Sequence, residues 1–178
     1  MQDYGIERIG KRLIVEHLVS GNFGNISVRE NDTGFFIKKT GAYLDAPGDP
    51  VFVPFDGPVP KEASSEYRVH LSVYQKTPYR AIVHAHPPFA IAASLVTDEI
   101  TPLDSEGVMF CPVIPVTTGA PGTPGLADAV SKVMLHHNLV IARAHGTFAA
   151  GATLDDAFQL TSLAEHACKV IAYRKMFL

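Results

Sequence analysis

Cysteine is scarce and carries no pattern. The 178 residues hold two, Cys111 and Cys168, far apart and outside any Cys-x-x-Cys spacing. The expectation is two buried free thiols in a reducing cytoplasm rather than a disulfide. An excess of charge of either sign is also missing: 15 Lys and Arg stand against 18 Asp and Glu, a formal net charge of −3. That balance gives no reason to expect nucleic acid or an acidic membrane surface as partner. No apolar run approaches the roughly 18 residues needed to span a bilayer. The stretch Met1-Gln2-Asp3-Tyr4-Gly5-Ile6-Glu7 lacks a basic segment followed by an apolar core, so no secretory leader is expected. Repeats and low-complexity segments are absent as well. With 47% hydrophobic and 19% charged residues, a single globular domain over residues 1–178 is expected.

The stretch that stands out is Ala81-Ile82-Val83-His84-Ala85-His86-Pro87. Ala81 to Val83 reads as a short apolar strand that Pro87 stops. Strand side chains alternate faces, so His84 and His86 point the same way where the chain leaves the sheet. Read alone, the pair fits two descriptions: the start of a metal site, or partly buried imidazoles satisfied by backbone carbonyls. A third histidine follows a second apolar strand, in Leu139-Val140-Ile141-Ala142-Arg143-Ala144-His145-Gly146. Three histidines at strand ends suggest a three-imidazole divalent-metal site with an open position. His136-His137 ends a helix expected from Leu126 to His136; the negative end of the helix dipole explains that pair.

Around these strands the chain alternates short elements. Apolar residues at Ile6, Ile9, Leu13, Ile14 and Leu18 predict an amphipathic helix over 4–19. Gly21-Asn22-Phe23-Gly24-Asn25 is a turn feeding an alternating strand, and Phe35 to Lys38 closes a hairpin. The first turn is either simple punctuation or an anion-binding loop; Lys39-Thr40-Gly41 is a second small, anion-compatible turn. Residues 42–61 read as sheet-edge connection around a Val51-Phe52-Val53 strand. A helix is expected from about Ala63 to Gln75, with Ser64 or Ser65 as N-cap and a potential anion site in its first turn. Glu66 there fits a favourable interaction with the helix dipole, the reading the residue by itself favours, or a functional carboxylate. Pro88 to Leu95 reads as a short helix, Thr101 to Gly107 as a polar turn, and Val108 to Val116 as a strand. Thr153 and Asp156 form a capping-box pattern opening a long C-terminal helix.

Four motifs in order resemble the class II aldolase/adducin family, within it the zinc-dependent fuculose-phosphate aldolases. They are Gly24-Asn25-Ile26-Ser27-Val28-Arg29, Thr40-Gly41, Ser64-Ser65-Glu66 with His70, and His84-Ala85-His86 with the distant His145-Gly146. The resemblance runs from about residue 6 to residue 172. It implies a three-layer α/β fold with a central, mostly antiparallel sheet flanked by helices, assembled as a homotetramer with active sites between subunits. By the same resemblance His84, His86 and His145 hold one Zn2+, and Glu66 is the acid/base. Asn25, Thr40, Gly41, Ser64 and Ser65 form a phosphate pocket that relies on hydroxyls, amides and backbone N–H groups rather than lysines. The implied reaction cleaves a ketose 1-phosphate, such as L-fuculose 1-phosphate, to dihydroxyacetone phosphate and a short aldehyde such as lactaldehyde. Other metal enzymes of the family are the alternative: a pentulose-phosphate 4-epimerase, a methylthioribulose-phosphate dehydratase or a sugar-acid decarboxylase. A non-catalytic adducin-like domain is a third possibility, against which the retained histidines and Glu66 argue. Three positions depart from the aldolase pattern. The stretch Gly21-Asn22-Phe23 lacks the phosphate-binding threonine usual there, Ser105 stands near the place of an inter-subunit tyrosine, and the chain ends at Leu178 without a tyrosine-bearing tail.

Overall fold

The computed structural model describes residues 4–178. Met1 to Asp3, to which the expected domain start and part of the leader argument reach, lie outside the described residues. Among the described residues eight strands form one sheet: β1 (Asn25–Asn31), β2 (Gly34–Ile37), β3 (Val51–Pro54), β4 (Ala81–Ala85), β5 (Glu99–Ile100), β6 (Ile114–Thr117), β7 (Leu139–Ala142) and β8 (Gly146–Gly151). Their order is β3-β2-β1-β4-β8-β7-β6-β5. Neighbours pair antiparallel throughout except β6 with β7, which are parallel. The mostly antiparallel sheet is therefore present. Its one parallel step arises where a helix connects β6 to β7, as a parallel pair requires.

Among the described residues six α-helices flank the sheet: α1 (Ile6–Val15), α2 (Tyr67–Lys76), α3 (Pro88–Ser94), α4 (Ser105–Phe110), α5 (Pro124–Val133) and α6 (Leu154–Arg174). Strand alternation divides the core in two. Ala81, Val83 and Ala85 of β4 face α1, α3 and α6, with Ile9, Leu13, Ala90 and Phe158. Ile82 faces the other way, with Val69 and Val73 of α2 and Leu126 and Val130 of α5. Because both faces are covered, β4 and β7 are buried at every position; β7 reads as an unbroken apolar run and β4 as one interrupted only by His84. The expected capping box opens α6: Thr153 Oγ1 accepts from the Asp156 N–H and Asp156 accepts from the Thr153 N–H.

Three expected elements are corrected. Residues 108–110 are not strand but the end of α4, because Asp104 caps that helix by accepting from the Gly107 N–H at 2.9 Å; strand begins only at Ile114. The N-terminal helix stops at Val15. His17 takes φ 57°, and the Leu18 N–H reaches back to the Leu13 carbonyl at 2.8 Å, a left-handed helix end. Finally, α2 begins at Tyr67, with Glu66 as its N-cap residue and no side-chain capping bond, so neither Ser64 nor Ser65 caps it.

Candidate functional site

One end of the sheet gathers the chemistry. β4 and β7 finish there, and β1 and β8 start there. Asn25 pairs in register with His84, and Ala85 with Thr147. His84 follows Ile82 onto the α2 and α5 face, where its ring stacks on Phe148 at 4.1 Å and 13°. His145 sits in the tight turn joining β7 to β8. The residue before it, Ala144, has φ 59°, a left-handed conformation disfavoured by its Cβ. Gly146 follows, and a Cβ there would stand 2.1 Å from the Ala85 carbonyl oxygen and 2.9 Å from the His86 ring. Only glycine lets the His145 turn close against the His84 and His86 strand.

One ring nitrogen from each of His84, His86 and His145 lies within 4.8 Å of the others. His84 Nδ1 donates to the Thr147 carbonyl at 2.8 Å, because a carbonyl can only accept. The proton is therefore on Nδ1, and Nε2 presents a lone pair. That Nε2 lies 3.0 Å from His86 Nε2. Burial, reinforced by the neighbouring rings, holds His84 well below the ordinary imidazole range and brings His86 down to about 4. Burial lowers His145 too. Three neutral imidazoles with converging nitrogens and no thiolate suit a borderline divalent cation, so these residues fit a metal ion and could hold one.

Glu66 borders the histidines, its Oε1 3.9 Å from His145 Nε2. Oε1 accepts from the Gly122 N–H at 2.8 Å, while Oε2 is buried with no hydrogen-bond partner among the described residues. Burial raises its pKa against the opposing pull of the Gly122 bond and Arg68. The carboxylate makes no capping bond to its own helix and instead bonds Gly122 beside His145.

A cavity of about 410 Å3 opens over this group. All nine residues singled out from the sequence line it: Asn25, Thr40, Gly41, Ser64, Ser65, Glu66, His84, His86 and His145. His136 and His137 line a different hollow beside Tyr79 and Phe110. A larger groove of about 800 Å3, bordered by Arg12, Tyr79, Glu106 and Phe110, contains none of the histidines. Ser105 and Glu106 of α4 do not line the histidine cavity; the Ser105 hydroxyl donates to Glu106 instead. Tyr173 packs edge-on against Phe89.

Asn22, Phe23 and Gly24, from the turn read as a possible anion-binding loop, also line the cavity, as do Lys38 and Pro121, which sequence reasoning missed as site residues. Lys38 is the surprising one, because the pocket was expected to do without lysine. It is 2% exposed, and its Nζ donates to the carbonyls of Asn22 and Ala42. Burial lowers its pKa to about 8. Its nearness to Thr40-Gly41 was the only sequence signal, and nothing in composition foretells a buried amine.

With this geometry in place, comparison with known proteins places the chain. Residues 5–172 match the model of the class II aldolase and adducin N-terminal domain. A 5-deoxy-D-ribulose 1-phosphate aldolase of Bacillus thuringiensis serovar kurstaki is 32% identical over 176 residues, covering 93% of this chain and 81% of its own. An L-fuculose phosphate aldolase of Methanocaldococcus jannaschii is 30% identical over 168 residues, covering 92% and 91%. Among solved structures, the l-fuculose-1-phosphate aldolase of Thermus thermophilus superposes with a TM-score of 0.93 at 33% identity, covering 97% of this chain and 93% of that one. The sheet, the histidine cluster and these matches agree: the chain belongs to the class II aldolase/adducin family.

Proposed function

We propose that the chain is a metal-dependent aldolase that cleaves a short ketose 1-phosphate to dihydroxyacetone phosphate and a small aldehyde. The observation that carries this is the convergence of three imidazoles, a buried carboxylate and several small polar turns on one cavity. His84, His86 and His145 would hold one divalent ion, zinc in the first instance. When bound, such an ion supplies Lewis-acid stabilisation of the negative charge that develops beside a ketone as the carbon–carbon bond breaks. Glu66 moves the substrate proton through Oε2, the oxygen without a protein partner; a carboxyl whose pKa is raised takes up a proton more readily near neutrality. Asn25, Thr40, Gly41, Ser64 and Ser65 bind the phosphate, and Lys38 adds a cationic amine at the same cavity. The phosphate handle contributes orientation and remote binding energy.

The relatives' names support two aldehyde partners, lactaldehyde from L-fuculose 1-phosphate and the product of 5-deoxy-D-ribulose 1-phosphate cleavage. The zinc-loaded protein should release dihydroxyacetone phosphate from one of these and not from unphosphorylated ketoses. If no ketose 1-phosphate is cleaved while a pentulose 5-phosphate is epimerised, the aldolase assignment fails and the epimerase stands. Equal turnover of unphosphorylated sugars would remove the phosphate pocket from the proposal.

We also propose that residues 1–178 act as one domain, in the cytoplasm, as a homotetramer with sites near subunit contacts. Val108, Met109 and Phe110 of α4 are exposed and make an apolar surface that a second copy would cover. A monomer in sedimentation at micromolar concentration would overturn the assembly. No helix among the described residues is long and apolar enough to cross a membrane.

A further inference from the structure

A short helix, α3, follows His86 and reaches at its far end the residue before His145. α3 starts at Pro88, two residues after His86. Its N-cap, Pro87, has no polar side chain, and Pro88 has no N–H, so the first backbone donors needing partners are those of Phe89 and Ala90. Both donate to one oxygen of Glu165, at 2.9 and 3.0 Å. Glu165 lies in α6 and is 2% exposed; its other oxygen is 3.3 Å from Lys169 Nζ. Burying a carboxylate is costly unless it is paired, so a carboxylate spent on two backbone N–H groups marks a fixed attachment. It ties down the chain directly after His86.

The far end of α3 is attached to the other half of the site. Ser94, its last residue, is fully buried. The Ser94 hydroxyl donates to the Ile91 carbonyl at 2.6 Å and accepts the Ala144 N–H at 3.1 Å. The Ser94 carbonyl accepts from the Arg143 guanidinium, which also pairs with Asp98. Ala144 is the residue held in the left-handed conformation immediately before His145. Such a conformation persists only where its surroundings over-determine it, and the Ser94 contacts supply that restraint.

We infer that α3 is a strut that sets the spacing of His86 and His145, with Glu165 and Ser94 as positioning residues for the metal site. This rests on the metal-binding reading proposed above. Partners beyond the ligands orient them, and losing such a partner typically costs 10- to 100-fold in metal affinity or activity.

The test uses Ser94→Ala, which removes only the hydroxyl, and Glu165→Gln, which keeps the shape and removes the charge. The readouts are the rate of zinc transfer to a chromogenic chelator and the visible spectrum of the cobalt-substituted protein, which reports ligand arrangement. Transfer should accelerate about 10- to 100-fold in each variant, with a shifted cobalt spectrum. Ser131→Ala is the control: its hydroxyl is also buried, but it bonds Ser72 and Lys76 between α2 and α5, so both readouts should stay at wild-type values. If Glu165→Gln does not fold, Ser94→Ala decides alone. Wild-type transfer rates and spectra in the folded variants would overturn the strut and leave the metal site standing. A wild-type protein that takes up no stoichiometric metal would overturn both.

Discussion

At the scale of single residues, Glu66 separates two physical roles by one substitution. Were it serving the dipole of α2, Glu66→Gln would cost at most about 1 kcal/mol of stability and leave turnover intact. Its carboxylate instead turns to the Gly122 N–H and the histidines. Under the proposed role of Glu66 as the group that moves the proton, its replacement by glutamine should lower turnover about 10² to 10⁴-fold with metal content unchanged. Exchange of the C3 proton of dihydroxyacetone phosphate into deuterated solvent checks this without any aldehyde present, and should be lost together with turnover. The histidines divide similarly. His145→Ala should lose metal in elemental analysis, while His136→Ala and His137→Ala, which line another hollow, should retain it.

At the scale of elements, the β7–β8 turn is where backbone conformation and chemistry meet. The left-handed Ala144 aims His145, and Gly146 clears the space that β4 occupies. Gly146→Ala would drive a methyl group onto the Ala85 carbonyl oxygen and the His86 ring. Backbone oxygen cannot step aside as a flexible side chain can, so the strands must part. The expected cost is about 1–3 kcal/mol, the range for overpacked sites, read in chemical denaturation. Metal content should fall as well, because the displaced strand carries His84 and leads directly into His86. Gly24 has a related role on the opposite side: at φ +71°, a Cβ there would stand 2.8 Å from the His84 carbonyl oxygen. The turn before β1 can therefore lie against β4 only with glycine at that position.

For the whole molecule, the buried imidazoles make stability depend on pH. Burial depresses His70 to about 3 and His86 to about 4, and lowers His84 and His145 in the same direction. In the unfolded chain each titrates near 6.5, so below that pH the unfolded state binds more protons than the folded one. Stability must then fall as the pH drops from about 6.5 towards those depressed values. Glu66 works the other way: its raised pKa lets the folded state protonate first, adding stability as pH falls through that value. Four histidines outweigh one glutamate. The melting temperature of the metal-free protein should therefore drop between pH 7 and pH 5, and a flat profile would contradict the burial of these rings. Zinc should raise the melting temperature at pH 7. That gain should shrink on acidification, because protons compete for the same nitrogens.

Much of this was readable before any fold was known, and for local reasons. Period-2 alternation is a property of any strand, so a strand run on through Ile82-Val83-His84-Ala85-His86 puts both imidazoles on one face; β4 ends at Ala85, and His86 still turns to His84. The Thr153 and Asp156 spacing had to cap a helix if one began there. Propensity misled where a distant or uncounted contact decided the outcome. Val108-Met109-Phe110 is rich in strand formers, yet Asp104 caps it into α4, leaving apolar side chains exposed. Ser64 and Ser65 suit a helix cap, yet the helix starts beyond them and they line the cavity instead. No local pattern could bury the Lys38 amine, since its partners Asn22 and Ala42 belong to two separate turns. Nor could sequence join Glu165 to the turn after His86, 79 positions away. The residue types and their alternation along each strand were determined by the sequence alone. Which of them meet was decided by the sheet order, because only the pairing of β4 with both β1 and β8 brings Asn25, His84 and His145 to the same end.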